Sequence, residues 1–329
     1  MKPWVLAFWL LAVGACAQPA ALPVGPMAAG ASIALSADAV ALNPDDVSLS
    51  RVGHFAYSGG LNITSKATSQ LHGLSDLRVM PSGALYAESD EGGFFSARLV
   101  LDPKGRLVSL KDGELTALIG VDGKPLPSKQ ESDAEGLAIL ENGDRLISFE
   151  RHHRILLYPA QGGSPHEVPS PQANFPNNGG MEGLAANPAK GPDAYMVGGE
   201  VSGETWNCTL SKGCEPGRVI SKPDDFKLVA LAPLPGSRLA YLLRAWDPIR
   251  GSRISLVIAA EDGGIIDQLD LQPPLTVDNF EGLAALPGKD GAVRFYLISD
   301  DNFEPSQRTL LLAFDWKPSP AGPKAAAKG

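Results

Sequence analysis

Asp133-Ala134-Glu135-Gly136-Leu137-Ala138-Ile139-Leu140-Glu141-Asn142-Gly143 decides the fold of this chain, because it recurs. Glu182-Gly183-Leu184-Ala185 and Glu281-Gly282-Leu283-Ala284 repeat its first part, and His72-Gly73-Leu74-Ser75 and Val229-Ala230-Leu231-Ala232 read as degenerate copies. Four copies continue alike, through an apolar pair into a Pro, Asn or Gly turn: Val79-Met80-Pro81-Ser82-Gly83, Ile139-Leu140-Glu141-Asn142-Gly143, Pro233-Leu234-Pro235-Gly236 and Ala285-Leu286-Pro287-Gly288. A second strand follows each copy, at 84–88, 145–150, 194–200, 238–244 and 294–299. With the motif glycine or its equivalent as marker (73, 136, 183, 230 and 282), the steps are 63, 47, 47 and 52 residues.

A period near 45–50 built from short strands and turns is the signature of a β-propeller blade. A helical solenoid would need apolar stripes of period 3.6, and none of useful length is present. The fold class expected is therefore all-β, one β-propeller over residues 46–316. Five blades are explicit. Strand signals at 47–64 are expected to close the ring with the C-terminal strands and so make a sixth blade, with five or seven as alternatives. The 63-residue step is expected to hold an insertion around 115–132. Composition agrees: 36 Gly and 28 Pro in 329 residues mean many turns, and 44% hydrophobic residues supply a sizeable core. A net charge of −9 argues against a nucleic-acid surface, which needs a basic stripe.

The ends read as address and tether. Lys2 precedes an apolar run at 3–15, too short to span a bilayer but right for a signal peptide. Val13-Gly14-Ala15-Cys16 resembles a lipobox, which makes 1–16 a signal segment of the lipoprotein type with Cys16 lipidated as the mature N-terminus; Ala15-Cys16-Ala17 read as an ordinary cleavage site would give free secretion instead. Both exits put the body outside the cytoplasm, as a periplasm-facing envelope lipoprotein or a soluble secreted protein. Residues 17–45 read as a tether with an entry strand and 317–329 as a tail, and a monomer touching the membrane only through the lipid is expected. Cys208 and Cys214 are the other two cysteines, and their spacing in an exported chain points to a hairpin disulfide. Zinc lacks ligands there, since His152, His153 and His166 all lie more than 40 residues before Cys208.

In a propeller the innermost strand of each blade lines the channel, so residues repeated at one blade position converge on the axis. Glu135, Glu182 and Glu281 are such a set. A second set stands at the far ends of the next strands: Glu88, Glu150, Glu200 and Asp300, with Arg151 and Arg244 among them. Antiparallel neighbours bring the end of one strand beside the start of the other, so both sets are expected at one mouth. Carboxylates crowded together repel, and a hard cation such as Ca²⁺ resolves the repulsion. Two roles stay open for each motif Glu: cation ligand, or acceptor of backbone N–H groups from the adjacent blade. Arg151 or Arg244 would clamp an anionic group, and one of the adjacent pair at a strand end, His152 or His153, is the expected general base, with His152 as the candidate, since neighbours on a strand point to opposite faces. His72, in the place of the motif Glu, is expected at the same face.

Ser132-Asp133-Ala134-Glu135-Gly136-Leu137-Ala138, Asn178-Gly179-Gly180-Met181-Glu182-Gly183-Leu184-Ala185, Asn279-Phe280-Glu281-Gly282-Leu283-Ala284 and Leu297-Ile298-Ser299-Asp300-Asp301-Asn302-Phe303 together resemble the bacterial "esterase-like activity of phytase" family, over about residues 50 to 316. The resemblance implies a secreted propeller with ester or phosphoester hydrolysis, and a small anionic ester or phosphoester is the partner expected. One departure matters: the Asp-Ala-x-Asp-Asp-Pro-Ala-x-Trp motif of calcium-dependent propeller phytases is absent, which argues against phytate and against their multi-calcium site. A non-catalytic envelope propeller and a calcium-dependent lactonase are the other readings.

Overall fold

The computed structural model describes residues 30–318; the signal segment with Cys16, residues 17–29 and residues 319–329 lie outside these. Five antiparallel sheets radiate from one axis. Their innermost strands are Leu74–Val79, Ala134–Ile139, Gly183–Ala186, Lys227–Leu234 and Phe280–Pro287, each packed against the next and the last against the first. Each continues through the expected turn into a second strand: Ala84–Ser89, Arg145–Phe149, Ala194–Gly198, Arg238–Asp247 and Val293–Ser299.

The propeller thus has five blades, not six. Among the described residues the C-terminal repeat supplies three strands, the third being Leu310–Trp316, and Phe55–Ser65 pairs directly with it as the fourth. The N-terminal strand signals complete the last blade rather than build another. Ring closure by both termini holds. A second clasp lies outside it: Ala31–Ile33 pairs onto the outer strand of blade 1, Leu107–Ala117, while Leu35–Ala39 pairs onto Phe55–Ser65 of blade 5. The 63-residue step goes into longer strands in blade 1, a small hairpin at 118–126 and the short helix Lys129–Ser132.

Packing explains why the blades stand face to face. Five apolar clusters fill the five gaps between neighbours. Leu146, Ile155 and Leu157 of blade 2, for example, meet Leu184, Tyr195 and Val197 of blade 3. Full burial of such a side chain contributes about 1.5–3 kcal/mol.

Cys208 and Cys214 face each other in register across the third and fourth strands of blade 3 and form a disulfide. The outer strand, Gly213–Pro216, is short, so the bond holds its edge. Replacing both cysteines by serine should lower the unfolding free energy by about 2 kcal/mol, as expected for a loop of six residues. Urea unfolding of the double variant, beside the wild type with and without reductant, measures this.

Candidate functional site

The motif glutamates occupy a shared irregularity. In blade 2, Ser148 pairs with Gly136 but Phe149 with Ala134, leaving Glu135 as the extra residue of a β-bulge. Glu281 is the extra residue in blade 5, Ser75 in blade 1 and Val229 in blade 4, and Glu182 stands just before the first paired residue of blade 3. A bulge turns its side chain off the pleat, here toward the channel mouth. The glycine that follows is required by close approach: a Cβ on Gly136 would lie 2.6 Å from the Glu182 carbonyl oxygen, and one on Gly282 would lie 2.8 Å from Asp76 Cα.

A second ring surrounds the first. The N–H groups of Asp90, Glu150, Glu200 and Asp300 each donate to the backbone carbonyl of a residue just before an inner strand, respectively Gly73, Asp133, Gly180 and Asn279. Arg244, in register with Lys227, holds this place in blade 4. Both rings open into one cavity of about 500 Å³, walled by nine carboxylates (Asp90, Glu91, Asp133, Glu135, Glu150, Glu182, Glu200, Glu281 and Asp300) and four cations, Lys129, Arg151, Lys227 and Arg244.

The cations sit at the flanks. Lys129 bridges Asp133, at 2.6 Å, and Asp90; Arg151 Nε donates to Asp133 as well. Across the mouth, Lys227 Nζ lies 2.6 Å from Glu200 Oε1, and Arg244 reaches Glu281 at 3.0 Å and also donates to Asn279. Between these flanks Glu135, Glu150 and Glu182 have no ion pair among the described residues. Glu150 Oε1 accepts the Gly180 N–H at 2.6 Å. One ligand atom each from Glu150, Glu182 and Glu200 lies within 4.8 Å of the others, and the same holds for Asp133, Glu135 and Glu150. Burial and mutual repulsion push the carboxyls up: Glu150 to about 7, and Glu135, Glu182 and Asp300 well above the ordinary range. Asp90 rises to about 6, through burial set against Lys129. Of the two groups, the second is already neutralised at Asp133. In the first, Lys227 and, at 3.8 Å, Arg244 reach Glu200 through Oε1 alone; its Oε2 is buried and without a hydrogen-bond partner, in a residue 2% exposed. That set could hold a metal ion.

Below the mouth the channel is closed by a pair absent from the sequence-based set. Asp76 and Arg78 alternate on the first inner strand, both turned to the axis. Asp76 accepts N–H groups from Leu77 (2.8 Å), Leu137 (3.1 Å) and Leu283 (3.2 Å), and its Oδ2 pairs with Arg78 Nη2 at 2.9 Å. Arg78 donates to the carbonyls of Leu283 (2.9 Å), Leu77 and Leu184. The free inner edges of strands in four blades find partners on these two side chains. Burial still holds the Asp76 carboxyl up at about 6.

The family model for the phytase-like family, "esterase-like activity of phytase", matches residues 69–303. The chain belongs to that family. A search of curated proteins gives no match. Solved structures that are similar to this phytase-like propeller include a candidate gluconolactonase (14% identity, 80% of this chain and 83% of that one, TM-score 0.47). Virginiamycin B lyase from Staphylococcus aureus (15%, 81% and 75%, TM-score 0.40) and a streptogramin B lyase (14%, 79% and 97%, TM-score 0.41) are others.

Seen in this phytase-like ring, Glu135, Glu182, Glu281, Glu150, Glu200, Asp300, Arg151 and Arg244 all wall the mouth. Glu88 does not. It pairs in register with Asp76, fully buried beside the channel closure, and the residue equivalent to Glu150 is Asp90, two positions on. His152 is also elsewhere: Arg151 adopts a left-handed φ of 56°, which returns its own side chain to Asp133 and sends His152 outward. There its Nδ1 lies 2.9 Å from Glu131 in solvent, so it faces no substrate space. His72 is not the counterpart of the motif Glu; Ser75 is, and His72 packs edge-on against Phe303 at 3.7 Å between ring centres. Asp133, Lys227 and Asn279 share a signal the motif alone does not show, the position two residues before the motif Glu or its counterpart Val229, while Lys129 stands in the short helix Lys129–Ser132 and carries no such signal.

Proposed function

We propose that this phytase-like propeller hydrolyses a small anionic ester or phosphoester at its acidic mouth, with a divalent cation, Ca²⁺ by its preference for hard oxygen ligands, held by Glu150, Glu182 and Glu200. The buried, unpartnered Glu200 Oε2 inside that carboxylate group carries the reading. When bound, the cation supplies Lewis-acid polarisation of the ester oxygen. The side chains do the rest. Arg151 and Lys129 on one flank, and Lys227 and Arg244 on the other, attract and orient the anionic half of the substrate. Glu135, which lines the same cavity and has no cation of its own, is placed to take the proton from attacking water. Calcium analysis of the purified protein, with p-nitrophenyl ester and p-nitrophenyl phosphate assays before and after chelation, tests this. We expect at least one substrate to be turned over, activity to fall by more than tenfold on chelation, and Ca²⁺ to restore it. No turnover with either substrate, or turnover indifferent to chelator, would leave a non-catalytic binding propeller as the reading.

Export and lipid anchoring belong to the same reading, and the Cys208–Cys214 disulfide supports an oxidising compartment. Cys16→Ser should move the protein from the membrane fraction to the soluble one. Wild-type protein found free in the periplasm would count against the anchor.

A further inference from the structure

We infer that the open cleft beside the mouth on blade 1 seats the departing alcohol of the ester, and that it is shaped for a small ring-bearing alcohol carrying a further hydroxyl. This rests on the hydrolase reading above. The cleft, about 250 Å³, is made by the added length of blade 1. Gly93 and Ala117 close the third and fourth strands, the Leu118 N–H donates to the Gly92 carbonyl, and the hairpin returns through the Ile119–Pro125 bridge. Its apolar wall is Leu115, Leu118 and Leu126. Small-molecule sites are mostly apolar with a few converging polar groups, and this cleft adds the Gln70 amide and the Thr116 hydroxyl. Neither side chain makes a hydrogen bond within the described residues, so both are available to a ligand hydroxyl.

Position ties the cleft to the mouth. Glu91 lines both spaces, and His72, which lines the cleft, packs against Phe303, which lines the mouth. Phe303 stands there in the left-handed region, φ 57°, an unfavourable conformation for a bulky residue. Size points the same way. A dry cavity of about 150 Å³ accepts benzene, so about 250 Å³ holds a ring with substituents. The chemistry divides accordingly: the acyl or phosphoryl half stays with the carboxylates and cations, while the neutral alcohol lies against leucines.

Two measurements on the full mature chain test this. The first compares benzyl and ethyl esters of one acid, whose leaving alcohols are of similar acidity, so their kcat/KM ratio reports the cleft. The wild type should prefer the benzyl ester by about tenfold. Ala117→Phe, which fills the cleft from its edge, should bring the ratio near one with the circular dichroism spectrum retained. The second is calorimetric binding of phenol and toluene. Phenol should bind the more tightly, by a few-fold, and Thr116→Val with Gln70→Leu should erase the difference without enlarging the side chains. A wild-type ratio near one, or a ratio that survives Ala117→Phe, overturns the proposal. Absence of hydrolysis with both esters and with the p-nitrophenyl ester and phosphate, with phenol still bound and displaced by Ala117→Phe, overturns the hydrolase reading instead and leaves the cleft as a ligand site.

Discussion

Asp76→Ala should lower the unfolding free energy by about 3–5 kcal/mol, the cost of leaving a buried charge without its partner. For a domain of this size that is a fall of roughly 10 °C in melting temperature. Arg78 would lose its carboxylate, and the N–H groups of Leu77, Leu137 and Leu283 would lose their acceptor together. An ordinary buried ion pair can be replaced by apolar residues at little cost, because each charge serves mainly to offset the other. This pair serves three backbone donors and the carbonyls of Leu77, Leu184 and Leu283 as well. The double variant Asp76→Ala/Arg78→Met should therefore be at least as unstable as the worse single variant, since every orphaned backbone group keeps its desolvation penalty. Equilibrium urea unfolding of the three variants measures it. A double variant restored to wild-type stability would mean that the pair closes nothing but its own charges.

The same two residues show where the sequence could be read and where it could not. Repeats of Glu-Gly-Leu-Ala made the propeller legible, because a motif in one blade position has one place in space. The blade number was not legible. Phe55–Ser65 is a strand wherever it pairs, and only its direct pairing with Leu310–Trp316 shows that it belongs to blade 5. The first repeat was misplaced for a related reason. His72-Gly73-Leu74 copies the letters of the motif, but the structural equivalent is Ser75-Asp76-Leu77, in which Asp76 replaces the motif glycine and Arg78 the alanine. Two charges spaced by two on an inner strand were the available cue. Glu88 followed from that slip, since its strand runs on to Ser89 before turning. Glu135, Glu182 and Glu281 were legible from the repeated motif, and Glu150, Glu200 and Asp300 from strand polarity, whereas Asp133 was not. Their ion pairs were not, because Lys129 and Lys227 come from segments whose course depends on neighbouring blades.

Metal-free protein should become less stable as pH rises, and Ca²⁺ should reverse this. Glu150 goes from an ordinary 4.5 to about 7 on folding, and Asp90 from 3.8 to about 6. Between those limits the folded chain holds more protons than the unfolded one, so the unfolding free energy falls with pH. The stability these groups contribute is whole below about pH 4 and is lost as pH passes 6 and then 7. Cation binding selects the ionised carboxylates, so affinity should climb over the same interval, and Ca²⁺ at a hundred times its Kd should add about 2.7 kcal/mol. Melting curves at pH 5 and pH 8, with Ca²⁺ or with chelator, should show a stabilisation far larger at pH 8. Glu182→Gln separates repulsion from ligation. It removes a charge that faces Glu200 and Glu281, so the metal-free variant should melt higher than wild type at pH 8. It also removes a ligand, so the rise on adding Ca²⁺ should shrink and the apparent affinity fall by at least tenfold. If Glu182→Gln gains nothing without cation, the carboxylates are not in conflict. If it keeps the full response to Ca²⁺, the ion sits elsewhere, and Asp133 would have to exchange Lys129 and Arg151 for it.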